Sequence, residues 1–362
     1  MTGKQRGLAI AVVALALVAM ACSCDLREIL GGRPFVVGMV TDESGIGDPF
    51  LNQFVWEGLQ QAGENPNIEV SYLESSGPAD YQPNIQEYVD QNVDLIITAG
   101  YLLVENTRTA AEANPDMRFA IVDEASMAPN VMGIQFQTDE AAFGAGYLAA
   151  GMTQTGIVGT YGGVPMPSMV IFMVGFEHGV AYYNEVHGTD VQVLGWDSET
   201  GEGLFTYNFA SAEDGYNVAL DMISQGVDII LPVAGPVGLG TVAAARENPG
   251  TMVIWVDQDG CLLIPDEVIP DACSVFLTSV MENVDVVVEG VVTAAYNGEF
   301  AGGSSYMGTL ANGGVGLAPY HEYEDDVPAE LADEVEDILA RVAAGEINTG
   351  WADFLASGLF GG

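Results

Sequence analysis

Three aspartates stand where a buried strand should stop. Asp42 follows the apolar run Phe35–Val40, Asp123 follows Phe-Ala-Ile-Val, and Asp257 follows Ile-Trp-Val. Gly100 and Gly235 end two further apolar runs. Open parallel sheets bind ligands beyond the carboxyl ends of their strands. If two such sheets face each other, these residues converge on one crevice. Convergent carboxylates accept hydrogen bonds from neutral solutes rich in O–H and N–H groups. A diol can give both hydroxyls to one carboxylate, as ribose does, whereas a phosphate would be repelled. Phe50, Tyr101 and Phe176 lie near the same strand ends. An aromatic there can stack on a planar ring, each stacked base being worth about 1–3 kcal/mol. The bland readings stay open: an Asp after a strand is often a turn or helix N-cap residue, and Tyr101 and Phe176 also read as core.

The elements that must carry these residues alternate. Phe35–Val40 reads as a buried strand bounded by Pro34 and by Asp42, Ser44, Gly45 and Gly47. Leu51, Phe54, Val55, Gly58, Leu59 and Ala62 then fall at helical spacing. Strands over 68–73, 94–99 and 118–122 enclose helices near 81–91 and over 104–113. After Thr138 a second series begins. Helices over 140–152, 168–183, 215–224 and 241–247 alternate with strands over 157–161, 191–194, 227–233 and 252–256. A long helix over 279–296, a strand region over 306–317 and an acidic helix over 329–344 close the chain. Such alternation means parallel sheets covered by helices on both faces. The segments Gln91-Asn-Val-Asp-Leu-Ile-Ile and Gln225-Gly-Val-Asp-Ile-Ile-Leu are alike, as are Asn114-Pro115 and Asn248-Pro249, and Asp123 and Asp257. Each match has the same spacing of 134 residues. A shared offset across strand, Ala-rich helix and strand predicts two similar α/β lobes.

The 362 residues carry 51 acidic side chains against 8 Lys and Arg, a formal charge of −43, with 49% apolar residues. That apolar share excludes global disorder, and the length suggests two domains. The charge excludes nucleic acid and disfavours anionic lipid as partners of the folded body. Lys4 and Arg6 precede an unbroken apolar run from Leu8 to Met20, followed by Ala21 and Cys22. This is the pattern of an export signal; the run is short for the roughly 30 Å hydrocarbon core. Cys22 at the cleavage point reads as a lipidated N-terminus, with Cys24 a competing candidate and an ordinary cleaved signal the other reading. The remaining cysteines, Cys261 and Cys273, form a pair expected to bond outside the cytoplasm; two free thiols are the alternative. His178, His187 and His321 lie at no metal-ligand spacing from them.

Longer motifs carry a resemblance. Val40-Thr-Asp-Glu-Ser-Gly-Ile-Gly-Asp-Pro-Phe-Leu-Asn-Gln53, followed by Trp56-Glu-Gly58, resembles the opening motif of the basic membrane protein family of purine nucleoside-binding lipoproteins of ABC importers. Phe119-Ala-Ile-Val-Asp123, Gly144-Ala-Gly-Tyr-Leu-Ala-Ala150, Gly175-Phe-Glu-His-Gly179, Trp255-Val-Asp-Gln258 and Leu277-Thr-Ser-Val280 follow in the same order. The resemblance implies a type I periplasmic-binding-protein fold, two Rossmann-like α/β lobes joined by three crossovers at a hinge. The expected division is a signal over 1–21, a lipid-anchored tether over 22–33, lobe 1 over 34–136 and 258–300, and lobe 2 over 137–257 and 301–362. It also implies that Asp42, Asn52 and Asp123 contact a nucleoside, that Phe176 stacks on its base, and that Asp257 takes its ribose hydroxyls. Leu51 stands where the family has a second stacking Phe, and Met281 lies where a basic residue is common.

The resulting expectation is an exported, lipid-anchored monomer that captures a nucleoside and hands it to an ABC permease with its ATPase. Its ligand-binding residues are Asp42, Phe50, Asn52, Tyr101, Asp123, Phe176, Gly235 and Asp257. No catalytic residue, metal or cofactor is expected, because no P-loop, GxSxG, HExxH or Cys/His pair occurs. Two competing classes are a sensor module for another polar cyclic solute, such as a sugar, and a nucleoside hydrolase. The latter needs several carboxylates packed around a metal, and only Asp42, Glu43 and Asp48 are local in the acidic opening motif.

Overall fold

Runs such as Leu95–Ala99 and Ile229–Val233 are buried along their whole length, which only a sheet covered on both faces allows. The computed structural model describes residues 33–46, 51–265 and 267–359. The export signal, Cys22, Cys24 and Phe50 lie outside the described residues.

The first sheet begins with β1 (Phe35–Val40), α1 (Leu51–Ala62), β2 (Ile68–Leu73), α2 (Pro78–Gln91), β3 (Leu95–Ala99), α3 (Val104–Ala113), β4 (Phe119–Val122) and β5 (Val131–Phe136). The chain then crosses into α4 (Thr138–Met152), β6 (Ile157–Gly162), α5 (Pro167–His187), β7 (Gln192–Leu194), the small hairpin β8 (Trp196–Asp197) and β9 (Glu202–Gly203), and α6 (Ala212–Ser224). It continues through β10 (Ile229–Val233), α7 (Gly238–Glu247), β11 (Met252–Asp257), the short α8 (Gly260–Leu263) and β12 (Phe276–Glu282). Next come α9 (Val284–Tyr296), β13 (Ser305–Gly308), β14 (Val315–Leu317), α10 (Ala329–Ala343) and α11 (Trp351–Ser357). The strand orders are β13-β5-β4-β3-β1-β2 and β14-β12-β11-β10-β6-β7. Every pair within these sheets is parallel except β12 with β14.

The two-lobe α/β architecture expected from alternation is present, and the internal repeat is structural. β3, α3 and β4 recur 134 residues later as β10, α7 and β11, and the 3-10 turn Tyr101–Leu103 recurs as Gly235–Val237. The repeated Asp94 and Asp228 sit at strand entrances, away from the strand tips. Asp94 accepts from the Val36 N–H at 2.8 Å, and Asp228 from the Gln154 N–H at 2.7 Å. These carboxylates satisfy backbone donors where the strands enter each sheet.

Three expectations are corrected. The helix over 279–296 is a strand, Phe276–Glu282, followed by the helix Val284–Tyr296. A short apolar run suits either element, and hydrophobic periodicity cannot separate them; here the strand lies between β11 and β14. The lobe boundaries move with it. Residues 258–300 do not all belong to lobe 1, because β12 is in the second sheet, and residues 301–362 do not all belong to lobe 2, because β13 pairs with β5 in the first. The chain crosses between sheets after Phe136, after Glu282 and after Gly308. The strand region over 306–317 is thus two strands, in different sheets. β5, which the pattern did not single out, is interrupted by Gly133 and Gln135.

Cys261 and Cys273 form a disulfide across 12 residues, with Cα atoms 4.5 Å apart. It staples the segment between β11 and β12. On the loop-entropy model, replacing both cysteines by serine should lower unfolding stability by about 3 kcal/mol. Urea unfolding of the double variant checks this; an unchanged midpoint would show that the segment is ordered without the bond.

Candidate functional site

Asp123 and Asp257 end equivalent strands, and both have a left-handed backbone, with φ of 65° and 67°. Non-glycine residues adopt that conformation at a cost, and Asp is among those that tolerate it best. Paying it twice, at equivalent tips of facing lobes, turns both carboxylates toward the interlobe cleft. β12 adds a third acid, Glu282, at the second crossover. Its Oε1 accepts from the Thr138 hydroxyl at 2.8 Å, and its backbone carbonyl accepts from the Gln258 amide at 3.0 Å. Thr138 begins α4 just past the first crossover, so Glu282 ties two crossovers together.

These groups wall two adjoining chambers. The larger, about 210 Å³, takes Asp123, Glu124, Gln135 and Phe136 from lobe 1, and Met166, Ser168, Ile171 and Trp351 from lobe 2. The smaller, about 90 Å³, holds Asp123, Asp257 and Glu282 together, with Leu51 and Phe54 from lobe 1 and Met169 and Phe172 from lobe 2. Asp123, Ser168 and Glu282 belong to both. No Lys, Arg or His lines either chamber among the described residues. The acids therefore disturb one another. Burial, then the charges of Asp257 and Glu124, push Asp123 up to about 7. Burial lifts Asp257 to about 6. Burial, then Asp123 and Asp257, holds Glu282 well above the usual carboxylate range, opposed by its bond from Thr138. A cluster of this kind cannot be fully ionised at once. Chemically it offers acceptors to hydroxyl and amine donors and repels anions.

The cleft has the position, the two-lobe walls and the polarity of a solute-binding site. Residues 35–349 match the model of the Bmp family, described as ABC transporter substrate-binding protein PnrA-like. The chain belongs to this family. Among its relatives is the CD4+ T-cell-stimulating antigen of Listeria monocytogenes, 32% identical over 95% of this chain and 98% of that protein. The ABC transporter nucleoside-binding protein BmpA of Lactococcus lactis is 30% identical over the same shares. A solute-binding protein of an Aeropyrum pernix ABC transporter system shares the fold, with a TM-score of 0.71 at 23% identity, covering 90% of this chain and 99% of that one. Its likeness supports the Rossmann-like two-lobe fold of the periplasmic-binding type.

Within this Bmp-family chain the structure divides the residues singled out from sequence. Asp123 and Asp257 meet in the smaller chamber. Asp42 lines neither chamber; its Oδ1 accepts from the Asn52 amide at 2.7 Å and from the Ser44 N–H at 2.9 Å. Asn52 is buried beside Leu51 in the first turn of α1 and lines neither chamber, and its own Oδ1 has no hydrogen-bond partner among the described residues. Tyr101 is 45% exposed and lines neither chamber, nor does Gly235, whose φ of 51° serves the turn after β10. Phe176 is fully buried in the core. α5 is packed so closely on α4 that a side chain on Gly146 would strike the Phe176 carbonyl. One turn earlier, Phe172 reaches the chamber instead, and Phe54 faces it from lobe 1. Residues four apart share a helix face but lie about 6 Å apart along the axis, so Phe176 points the same way as Phe172 yet misses the cleft. Sequence reasoning missed Phe54, Phe172 and Glu282. Phe54 carried a signal, since Leu51 and Phe54 share a face; Glu282 carried the strand-end signal, hidden by reading its strand as helix.

No helix among the described residues is long and apolar enough to cross a membrane.

Proposed function

We propose that this protein is a lipid-anchored, extracytoplasmic receptor that captures a purine nucleoside between its lobes and delivers it to an ABC permease and its ATPase. One observation carries the reading: the smaller chamber holds carboxylates and a phenylalanine from facing lobes. Contacts from both walls are needed to drive closure, because a solute bound equally well by open and closed forms shifts nothing. Ribose hydroxyls would donate to Asp257 and Glu282, and the base would lie between Phe54 and Phe172. The name of the Lactococcus relative, a nucleoside-binding protein, supports the ligand class. Cys22 supplies the anchor, and the protein acts as a monomer without catalysis.

The test is calorimetric titration with inosine, guanosine, uridine and ribose. Purine nucleosides should bind more tightly than uridine, and ribose alone only weakly. Phe54→Leu and Phe172→Leu should each weaken inosine about tenfold, since a stacked base is worth about 1–3 kcal/mol. Equal affinity for inosine and ribose would refute stacking between these rings.

A further inference from the structure

The acids that meet in the smaller chamber come from different lobes. Asp123 ends β4 in the first sheet, whereas Asp257 and Glu282 end adjacent strands of the second. Three chain crossings join the lobes, so any opening of the cleft separates Asp123 from the other two. Among the described residues the wall offers nothing to neutralise them. From α1 come Leu51 and Phe54, from α5 Ser168, Met169 and Phe172, and from α9 Val284. None of these titrates. Glu124 adds another acid beside Asp123, itself influenced by Arg108. Next along from Gln258, Asp259 already holds His321, its Oδ2 2.7 Å from Nε2. At the crossover Thr138 is neutral, and Asp139 after it is engaged by Thr349.

We infer that the lobes close on a neutral solute together with one proton, shared between Asp123 of the first lobe and the Asp257 and Glu282 pair of the second, which closure brings together. The inference rests on the solute-capture reading above and adds a chemical condition to it. Opening the cleft hydrates Asp123 and takes it away from Asp257 and Glu282, which removes both causes that raise its proton affinity. In the closed one, burial and mutual repulsion raise them, Asp123 to about 7. The closed form then binds more protons than the open form. Linkage makes closure easier as pH falls toward the ordinary carboxylate range and harder as pH rises through about 7. A solute bearing its own positive charge would replace the proton.

Calorimetry of the full chain with inosine, uridine and ribose as neutral probes tests this, in buffers of different ionisation enthalpy between pH 6 and 8. The expected results are uptake of about half a proton per solute at pH 7, rising toward one at pH 6, and an affinity about tenfold weaker at pH 8 than at pH 6. Glu282→Gln keeps an acceptor for Thr138, and Asp123→Asn is a second, independent variant. Each should flatten the pH dependence to less than about twofold. Heats that do not vary with buffer, together with an affinity unchanged across this range, would overturn the inference while leaving solute capture intact. Binding of uridine or ribose with proton uptake, but not of inosine, would sink the purine reading alone. If no neutral probe binds, or only an amine such as putrescine does, the proton does not supply the missing charge and the inference falls.

Discussion

Asp257→Ala is expected to weaken inosine binding about 100-fold, or about 2.8 kcal/mol. Asp257 stands at the tip of β11 with a φ of 67°, in the chamber shared with Asp123 and Glu282. With the ribose hydroxyls shared between Asp257 and Glu282, its loss leaves a hydroxyl without its charged acceptor in a confined space. Hydrogen bonds to charged groups are worth about 1.5–3 kcal/mol each. Truncation also removes one of three mutually repelling acids, which returns part of that loss. Calorimetry on the folded variant checks it, with thermal unfolding as a control. An affinity within about threefold of the parent would mean that the ribose is held elsewhere.

Gly146→Ala is expected to cost about 4 kcal/mol of unfolding stability, a loss that single changes reach only through a definite mechanism. The mechanism is a backbone collision. A Cβ at Gly146 would drive into the Phe176 carbonyl, and one at Gly175 into the Asp139 carbonyl. Neither wall can yield, because both are main chain in the interior of the second lobe. Overpacking normally costs about 1–3 kcal/mol because side chains move aside; here none can. Urea unfolding followed by circular dichroism measures the loss. A change below about 1 kcal/mol would show that α4 and α5 can separate, and would reopen a place for Phe176 nearer the cleft.

Much of the candidate site is legible in the sequence. Asp123 and Asp257 were marked by strand ends and by a shared offset, and they meet in one chamber. Asp42 met the same rule and fails it. Its carboxylate is engaged by Asn52 and by the loop that follows β1, the ordinary fate of an Asp in a turn. The aromatic wall was misjudged by one helical turn at Phe176. Periodicity reports which face a side chain is on. It does not report how far along the axis the cleft lies, because that depends on how closely α4 lets α5 approach.

By itself, the sequence determined the alternation of strands and helices, the duplication into two lobes and the acidic tips of the repeated strands. All of these are written in local spacing: buried parallel strands must be apolar, and a repeat must recur at a constant offset. Only the tertiary structure decided where the chain crosses between sheets, that Phe276–Glu282 is a strand, and that Glu282 completes the acid cluster. Those outcomes depend on pairing between segments far apart in the chain. An apolar run has no preference between strand and helix until a neighbouring strand offers it hydrogen bonds.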